Sequence, residues 1–282
     1  MFEQLFNKDA ARELSKRLAR IEKQQRMILR MLQQQRWASS DLYASEADRQ
    51  AYGVHSQGGE DGLLLHLLSA VGAPRKSFVE IGIQDGLECN TANLAFHFGW
   101  RGVMFEGGEA YARAARKNLS RCRGVRVKQA FVTAENVNAL FDETGADREA
   151  DVFSLDIDGN DYWIWKALED FRPRVAVVEY NPFFGAEAAV SIPYDPGFVY
   201  RSDRPRGYFG ASLQAFVKLG ASKGYALAGG SSQVSNAFFV RRELLKEPLR
   251  EVEAGAVFLP SHRRHETPEL MDALARLPRV EV

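Results

Sequence analysis

Seven carboxylates fall where short apolar, β-branched runs of this sequence end: Glu80, Asp85, Glu106, Asp156, Asp158, Asp161 and Glu179. Acids at strand ends can bind a cationic ligand, accept hydrogen bonds from hydroxyls, act as general bases, or hold a hard divalent cation through oxygen. Around Glu80 the sequence Val79-Glu80-Ile81-Gly82-Ile83-Gln84-Asp85-Gly86 puts glycines where a chain leaving a strand turns sharply and lets a ligand approach the backbone. It differs from the dinucleotide G-x-G-x-x-G, and the acids at 80 and 85 would repel a pyrophosphate. A cationic ligand suits it better. Glu106 ends the next apolar run 26 residues after Glu80 and suits a carboxylate that accepts hydrogen bonds from both hydroxyls of a ribose; the alternative is a plain glycine turn beside a solvated acid.

Asp156, Asp158 and Asp161, with Glu179 and Asn181, form a second constellation whose oxygen donors suit Mg²⁺, Mn²⁺ or Ca²⁺ rather than zinc. We expect Asp158, Glu179 and Asn181 as ligands of such an ion, with Asp156 and Asp158 catalytic. The ion would lower the pKa of a bound hydroxyl, or the carboxylates alone would serve as base. The structural alternative is that Asp158 and Asp161 cap the helix beginning at Tyr162. Of the five histidines, His55 lies nearest these segments and is the third catalytic candidate. Between Phe183 and Ser212, a long polar and aromatic stretch that can roof the site carries Tyr194, Tyr200, Arg201, Arg204, Arg206 and Tyr208, side chains that suit a glycan or phosphorylated acceptor; a surface loop with solubilising charges is the alternative.

These residues need elements to hold them. Runs at Ser77–Ile81, Gly102–Phe105, Val125–Ala130, Val152–Leu155 and Val175–Val178 predict strands. They alternate with helices over Gly62–Val71, Asn90–Phe98, Glu109–Leu119, Ala134–Phe141 and Trp163–Leu168. Gly224–Ala228 and Ala237–Val240 predict a terminal strand pair. The alternation implies an α/β fold: a mostly parallel sheet with helices on both faces and an antiparallel C-terminal pair. Ligands of such sheets bind beyond the carboxyl ends of the strands, where the acids are.

The chain has 282 residues, 45% of them hydrophobic and 26% charged, enough for a large core; no apolar run approaches a membrane span. Lys and Arg together number 37, as do Asp and Glu, which argues against a globally basic nucleic-acid binder. That balance is uneven, because residues 1–37 hold nine Lys/Arg against four acids, leaving the remainder acidic. Over Asp9–Gln35, free of Pro and Gly, Ala11, Leu18, Gln25 and Leu32 alternate with Leu14, Ile21, Ile28 and Gln35 as heptad a and d positions. The pattern predicts a long N-terminal helix forming a coiled coil, with Leu at a and Ile at d favouring a trimer or tetramer. Packing back onto the domain, or lying on a membrane surface through Met1-Phe2, Leu5-Phe6 and a basic face, are the alternatives. Two cysteines, Cys89 and Cys122, and no signal-like segment point to the cytoplasm, with peripheral membrane association as the alternative. The organisation we expect is an oligomerisation helix at 1–37, a linker at 38–55, a catalytic domain at 56–258 and a C-terminal extension at 259–282.

Several of these segments, taken in order, resemble one family. Ser56-Gln57-Gly58-Gly59-Glu60-Asp61-Gly62, Val79-Glu80-Ile81-Gly82, Asp85-Gly86, Asn90-Thr91-Ala92-Asn93-Leu94, Gly99-Trp100-Arg101-Gly102, Phe105-Glu106-Gly107, Leu155–Trp163 and Asn236–Val240 are similar to the FkbM-like branch of class I S-adenosylmethionine-dependent methyltransferases. The resemblance covers about residues 50–245 and departs at Gln84, where the usual turn has its middle glycine. It implies a Rossmann-like methyltransferase fold and S-adenosylmethionine as cofactor. Glu80, Gly82, Gln84 and Asp85 would border the methionine part, Glu106 the ribose, Thr133 the adenine and Asp156 the sulfonium, with Ser56 and Gln57 covering the cofactor. With the acceptor stretch and the aspartate cluster, the activity we expect is O-methylation of a sugar hydroxyl in glycan or secondary-metabolite assembly, with Mg²⁺ or Mn²⁺ at the cluster as an optional aid. The rival expectations are a non-catalytic scaffold assembled by the coiled coil, and a metal-dependent hydrolase.

Overall fold

The computed structural model describes residues 53–200, 205–231, 233–260, 263 and 266–282, together with Leu18, Ile21 and Gln25, which are helical and exposed. The rest of the expected coiled coil at 1–37 and all but Gly53–His55 of the linker at 38–55 lie outside the described residues. Among the described residues no helix is long and apolar enough to cross a membrane.

Strands β1 (Ser77–Ile81), β2 (Arg101–Glu106), β3 (Val125–Gln129), β4 (Val152–Leu155) and β5 (Val175–Glu179) run parallel, each followed by a crossover. The described helices are α1 (Glu60–Val71), α2 (Ala92–Phe98), α3 (Glu109–Asn118), α4 (Val137–Thr144), α5 (Asp161–Ala167), α6 (Leu213–Ser222), α7 (Ala254–Val257) and α8 (Pro268–Ala275). β6 (Val190–Ser191) and β9 (Val280–Glu281) form a separate antiparallel pair; β7 (Tyr225–Gly230) and β8 (Asn236–Arg241) complete the main sheet in the order β3-β2-β1-β4-β5-β8-β7. β8 is antiparallel to both of its neighbours. This is a Rossmann-like, mostly parallel α/β sheet with an antiparallel strand pair at one edge, its order reversing between β1 and β4.

The central strands β1, β4 and β5 are buried on both faces, which is why they read as continuous apolar runs, whereas β3 at the sheet edge is only half-buried and carries Arg126 and Lys128. On one face Val79, Ile81, Phe105, Phe153, Leu155, Ala176 and Val178 pack with Phe141 of α4, Trp165 of α5 and Phe216 of α6. On the other, Phe78, Met104, Val152, Val175 and Val177 meet Leu64 and Leu68 of α1 and Leu94 of α2. A third cluster lies off the sheet: Phe183, Phe184, Ile192, Phe198 and Tyr208 gather around Leu274 of α8. The stretch beyond 259, expected as an extension, returns through β9 to pair with β6, Val190 opposite Glu281, and closes the Phe183–Ser212 segment from behind.

Candidate active site

The turn after β1 is built around Gly82, at φ +84°, where a Cβ would lie 1.7 Å from the carbonyl oxygen of Asp156. The β1 and β4 ends can approach this closely only without a side chain there. Gln84 takes φ +49°, so a residue with a side chain holds a left-handed backbone in this turn. Its N–H and that of Ile83 donate to one Glu106 oxygen at 2.8 and 3.2 Å, and the Gly108 N–H donates to the other at 2.7 Å. Three backbone donors therefore fix the Glu106 carboxylate at the rim, with lone-pair capacity left on Oε1. Glu80 is 2% exposed. It accepts from the Asn90 and Thr91 N–H groups at the start of α2 and from the Thr91 hydroxyl. Burial pushes its carboxyl up, against the lowering effect of these bonds.

Glu60 and Asp61 open α1 and tie down the segment before it. Asp61 accepts from the N–H groups of Val54, His55 and Ser56, and Glu60 accepts from Gly58 N–H and from the Asn236 amide. Ser56 and Gln57 thereby reach the wall of a 630 Å³ cavity above the strand ends, shared with Glu80, Gly82, Gln84, Glu106, Asp156 and Asp158. Seven carboxylates line it and, among the described residues, no Lys, Arg or His does. Its other wall is Tyr111, Phe131 and Val132 beyond β2 and β3, and its roof is Phe198, Val199 and Tyr200.

Beyond β4 and β5, single carboxylate oxygens of Asp156, Asp158 and Glu179 lie within 4.8 Å of one another. Burial, then mutual repulsion, pushes Asp156 and Glu179 well above the ordinary carboxyl range. Asp158 stands at φ +53° and is exposed as a residue, yet the surrounding wall desolvates its carboxyl and raises it too. Asp161 accepts from Ile157 and Gly159 N–H at 2.8 and 2.9 Å and so shapes the loop; burial raises it to about 6. Asn160, 2% exposed on the cavity wall, has its Oδ1 unpartnered.

These raised carboxyls set the sign of the stability–pH profile. Between the unfolded carboxyl pKa near 4 and about 6 the native state binds more protons than the unfolded chain, so stability falls as pH rises through that window. Asp161 alone contributes on the order of 3 kcal/mol of this loss. Urea midpoints at pH 4.5, 5.5 and 6.5 should therefore decline in turn; a steady rise would contradict the burial of this cluster.

The structure places other expected residues elsewhere. Asn181, fully buried, donates to the Gly207 and Phe209 carbonyls and accepts from Phe183 N–H, so its amide is consumed in anchoring the roof, and Asp156 stands beside Asp158 and Glu179 instead. His55 stacks on Phe96 and meets His97 across 3.1 Å between Nε2 atoms, off the cavity wall. Asp85 accepts from Leu87 N–H, and Thr133 N–H donates to Asn136 Oδ1; neither lines the cavity, and Phe131 and Val132 occupy the edge expected for Thr133. The Tyr194 hydroxyl donates to Glu135, and that of Tyr208 donates to the Pro278 carbonyl inside the third cluster. Arg201 and Arg204 lie outside the described residues. Arg206 is exposed and lines a separate 190 Å³ pocket next to the first. Tyr200, from the aromatic stretch expected to roof the site, lines the cavity; Asn160, Tyr111 and Phe131 line it without being expected as site residues, and a hydrophobic residue two places beyond the β3 end is the available signal for Phe131.

No protein-family model and no curated protein sequence matches this chain. Among solved structures, the chain is similar to the N-terminal domain of EvdMO1 with SAH bound, at 14% identity and TM-score 0.42, over 70% of this chain and 84% of that one. The methyltransferase domain of bacterial CtHen1 aligns at 14% identity and TM-score 0.41, over 69% and 98%. Fibrillarin of Aeropyrum pernix with natively bound S-adenosyl-L-methionine aligns at 11% and 0.41, over 61% and 68%.

Proposed function

We propose that this protein is an S-adenosylmethionine-dependent O-methyltransferase whose acceptor is a sugar hydroxyl. The observation that carries the reading is the cavity wall: seven carboxylates and, among the described residues, no Lys, Arg or His, at the carboxyl ends of the parallel strands, fit a ligand that is itself cationic and repel a pyrophosphate. The donor, when bound, supplies an electrophilic methyl carbon. Glu106, held by three backbone donors, offers its remaining acceptor capacity to ribose hydroxyls. Tyr111 and Phe131 give flat apolar surface beside it, and Gly82 leaves the backbone open to the methionine end. Asp158, at the roofed side and with a raised carboxyl, takes the proton of the attacking hydroxyl, while the walls align the two reactants.

Calorimetry with the demethylated cofactor tests this directly: one site per chain is expected, and no binding would end the proposal. Glu106→Gln turns an NH₂ toward backbone N–H donors and should weaken that binding by about 10- to 100-fold, a cost of roughly 1.4–3 kcal/mol for a lost charge-assisted pair.

The hard oxygen donors of Asp156, Asp158 and Glu179 also fit Mg²⁺ or Mn²⁺, which would lower the pKa of the acceptor hydroxyl there. An ion held by these residues stabilises the fold by about 2.7 kcal/mol at a hundred times its dissociation constant. Raised melting temperature with Mg²⁺ or Mn²⁺ at pH 7.5, absent in Glu179→Gln, is the expected result; identical melting with and without either ion would remove the metal from the reading.

A further inference from the structure

We infer that the acceptor carries an anionic group, bound in the 190 Å³ pocket by Arg206, and that this contact aims its hydroxyl into the larger cavity. The inference rests on the methyl-transfer reading for the role of the larger cavity, while the anion site itself rests on the smaller pocket alone.

The two spaces share two residues, Gln57 and Glu179. Glu179 belongs to the carboxylate cluster and Gln57 to the segment pinned by Glu60 and Asp61, so the shared wall stands where an acceptor must reach the reacting centre. The chemistry on the two sides is opposite. The larger cavity holds seven acids, whereas the smaller is lined by Arg206 with the amide side chains of Gln57 and Gln233, the hydroxyl of Ser235, and apolar Pro182, Phe183, Phe209 and Val234. Arg206 is the one Lys, Arg or His on either wall among the described residues. Glu179 is the smaller pocket's only acid among them; its Oε1 accepts from the Ser235 hydroxyl at 3.4 Å.

At the reacting end of the larger cavity a carboxylate or phosphate of the acceptor would lie beside Asp156, Asp158 and Glu179, whereas the smaller pocket offers it a guanidinium. A guanidinium there offers a planar fork of donors matched to either oxyanion, and the half-buried Phe209 supplies apolar surface for a sugar ring. The roof fixes this geometry: Asn181 ties the Gly207 and Phe209 carbonyls to the end of β5, holding the segment next to Arg206 against the sheet. Repulsion from one side and pairing on the other then orient the acceptor, hydroxyl inward and anion outward.

The experiment uses the full chain saturated with demethylated cofactor and three probes: methyl β-glucuronide, glucose 1-phosphate and methyl β-glucoside. At least one anionic probe should bind about 10-fold or more tighter than the neutral one, the shift that pairing with one charged donor set produces. Preference for the glucuronide assigns a carboxylate, and preference for the phosphate assigns a phosphate ester. Arg206→Gln should remove the preference, and Arg206→Lys should retain part of it, with melting temperatures of both variants confirming an intact fold. Equal binding of all three probes, or a preference that survives in Arg206→Gln, overturns the inference. If the preference behaves as expected while labelled cofactor transfers its methyl group to none of the probes or to a wider pool of acidic glycans, the anion site stands and the methyl-transfer reading falls.

Discussion

Asp158→Asn is expected to lower turnover by about a hundredfold to ten-thousandfold, the range lost with a general base, while affinity for the demethylated cofactor changes little. Measured without added Mg²⁺ or Mn²⁺, the substitution isolates the proton-accepting role from any part Asp158 has in holding an ion. Asp158 sits at φ +53°, in the left-handed region that Asn tolerates better than other residues with side chains, so the loop between β4 and α5 keeps its shape. The loop's own supports, Asp161 accepting from Ile157 and Gly159, are untouched. What disappears is a carboxylate whose affinity for protons is raised by its desolvated position. Wild-type turnover should consequently climb with pH through a limb lying above the ordinary carboxylate range, and the residual rate of the variant should lack that limb. Equal turnover in both proteins would take Asp158 out of the reaction. A loss of cofactor affinity in step with turnover would make it a binding residue instead.

Much of the frame was legible because of where burial falls. β1 and β4 match their expected spans to the residue, since strands covered on both faces leave an uninterrupted apolar run bounded by polar turns. Helix starts were less legible. α4 begins at Val137 rather than Ala134, because Thr133 and Asn136 hold each other in a turn that delays it. The Ser212-capped helix α6 went unmarked beside a segment read only for its aromatic and charged residues. Pairing between β6 and β9 joins two-residue strands some 90 positions apart, which no local pattern announces. In the site, placement at strand ends was readable and side-chain direction was not. Glu106 and Asp156 reach the cavity, but nothing in the spacing of Asn181 says that its amide is spent on the carbonyls of Gly207 and Phe209. Direction depends on partners that arrive from distant sequence, and those partners are known only once the chain is folded.

Gly82→Ala should be among the most damaging single-methyl additions in the chain. Gly82 joins β1 to the turn at the cavity wall, its N–H donating to the Phe105 carbonyl at 3.0 Å, and its φ of +84° already disfavours any side chain by about 1–2 kcal/mol. The greater penalty is steric. The added Cβ falls 1.7 Å from the Asp156 carbonyl oxygen and 2.8 Å from its carbon, and neither is the end of a flexible side chain. Both belong to backbone that continues from β4, whose Asp156 N–H is held by the Ile81 carbonyl. Relief therefore requires β1 and β4 to part at the point of order reversal, with an overpacking cost of about 1–3 kcal/mol added to the conformational one. A loss of about 2–5 kcal/mol is a large share of the roughly 5–15 kcal/mol that holds a domain together. Gly145→Ala is the control, because Gly145 has φ +62° and nothing within 4 Å of an added Cβ, so it bears the conformational cost alone. At about 2–4 °C per kcal/mol for a chain of this size, Gly145→Ala should lower the melting temperature by a few degrees and Gly82→Ala by clearly more, with cofactor binding lost in the second only. Equal shifts would mean that the β1–β4 junction yields freely, and the close approach that shapes the cavity floor would then have to be wrong.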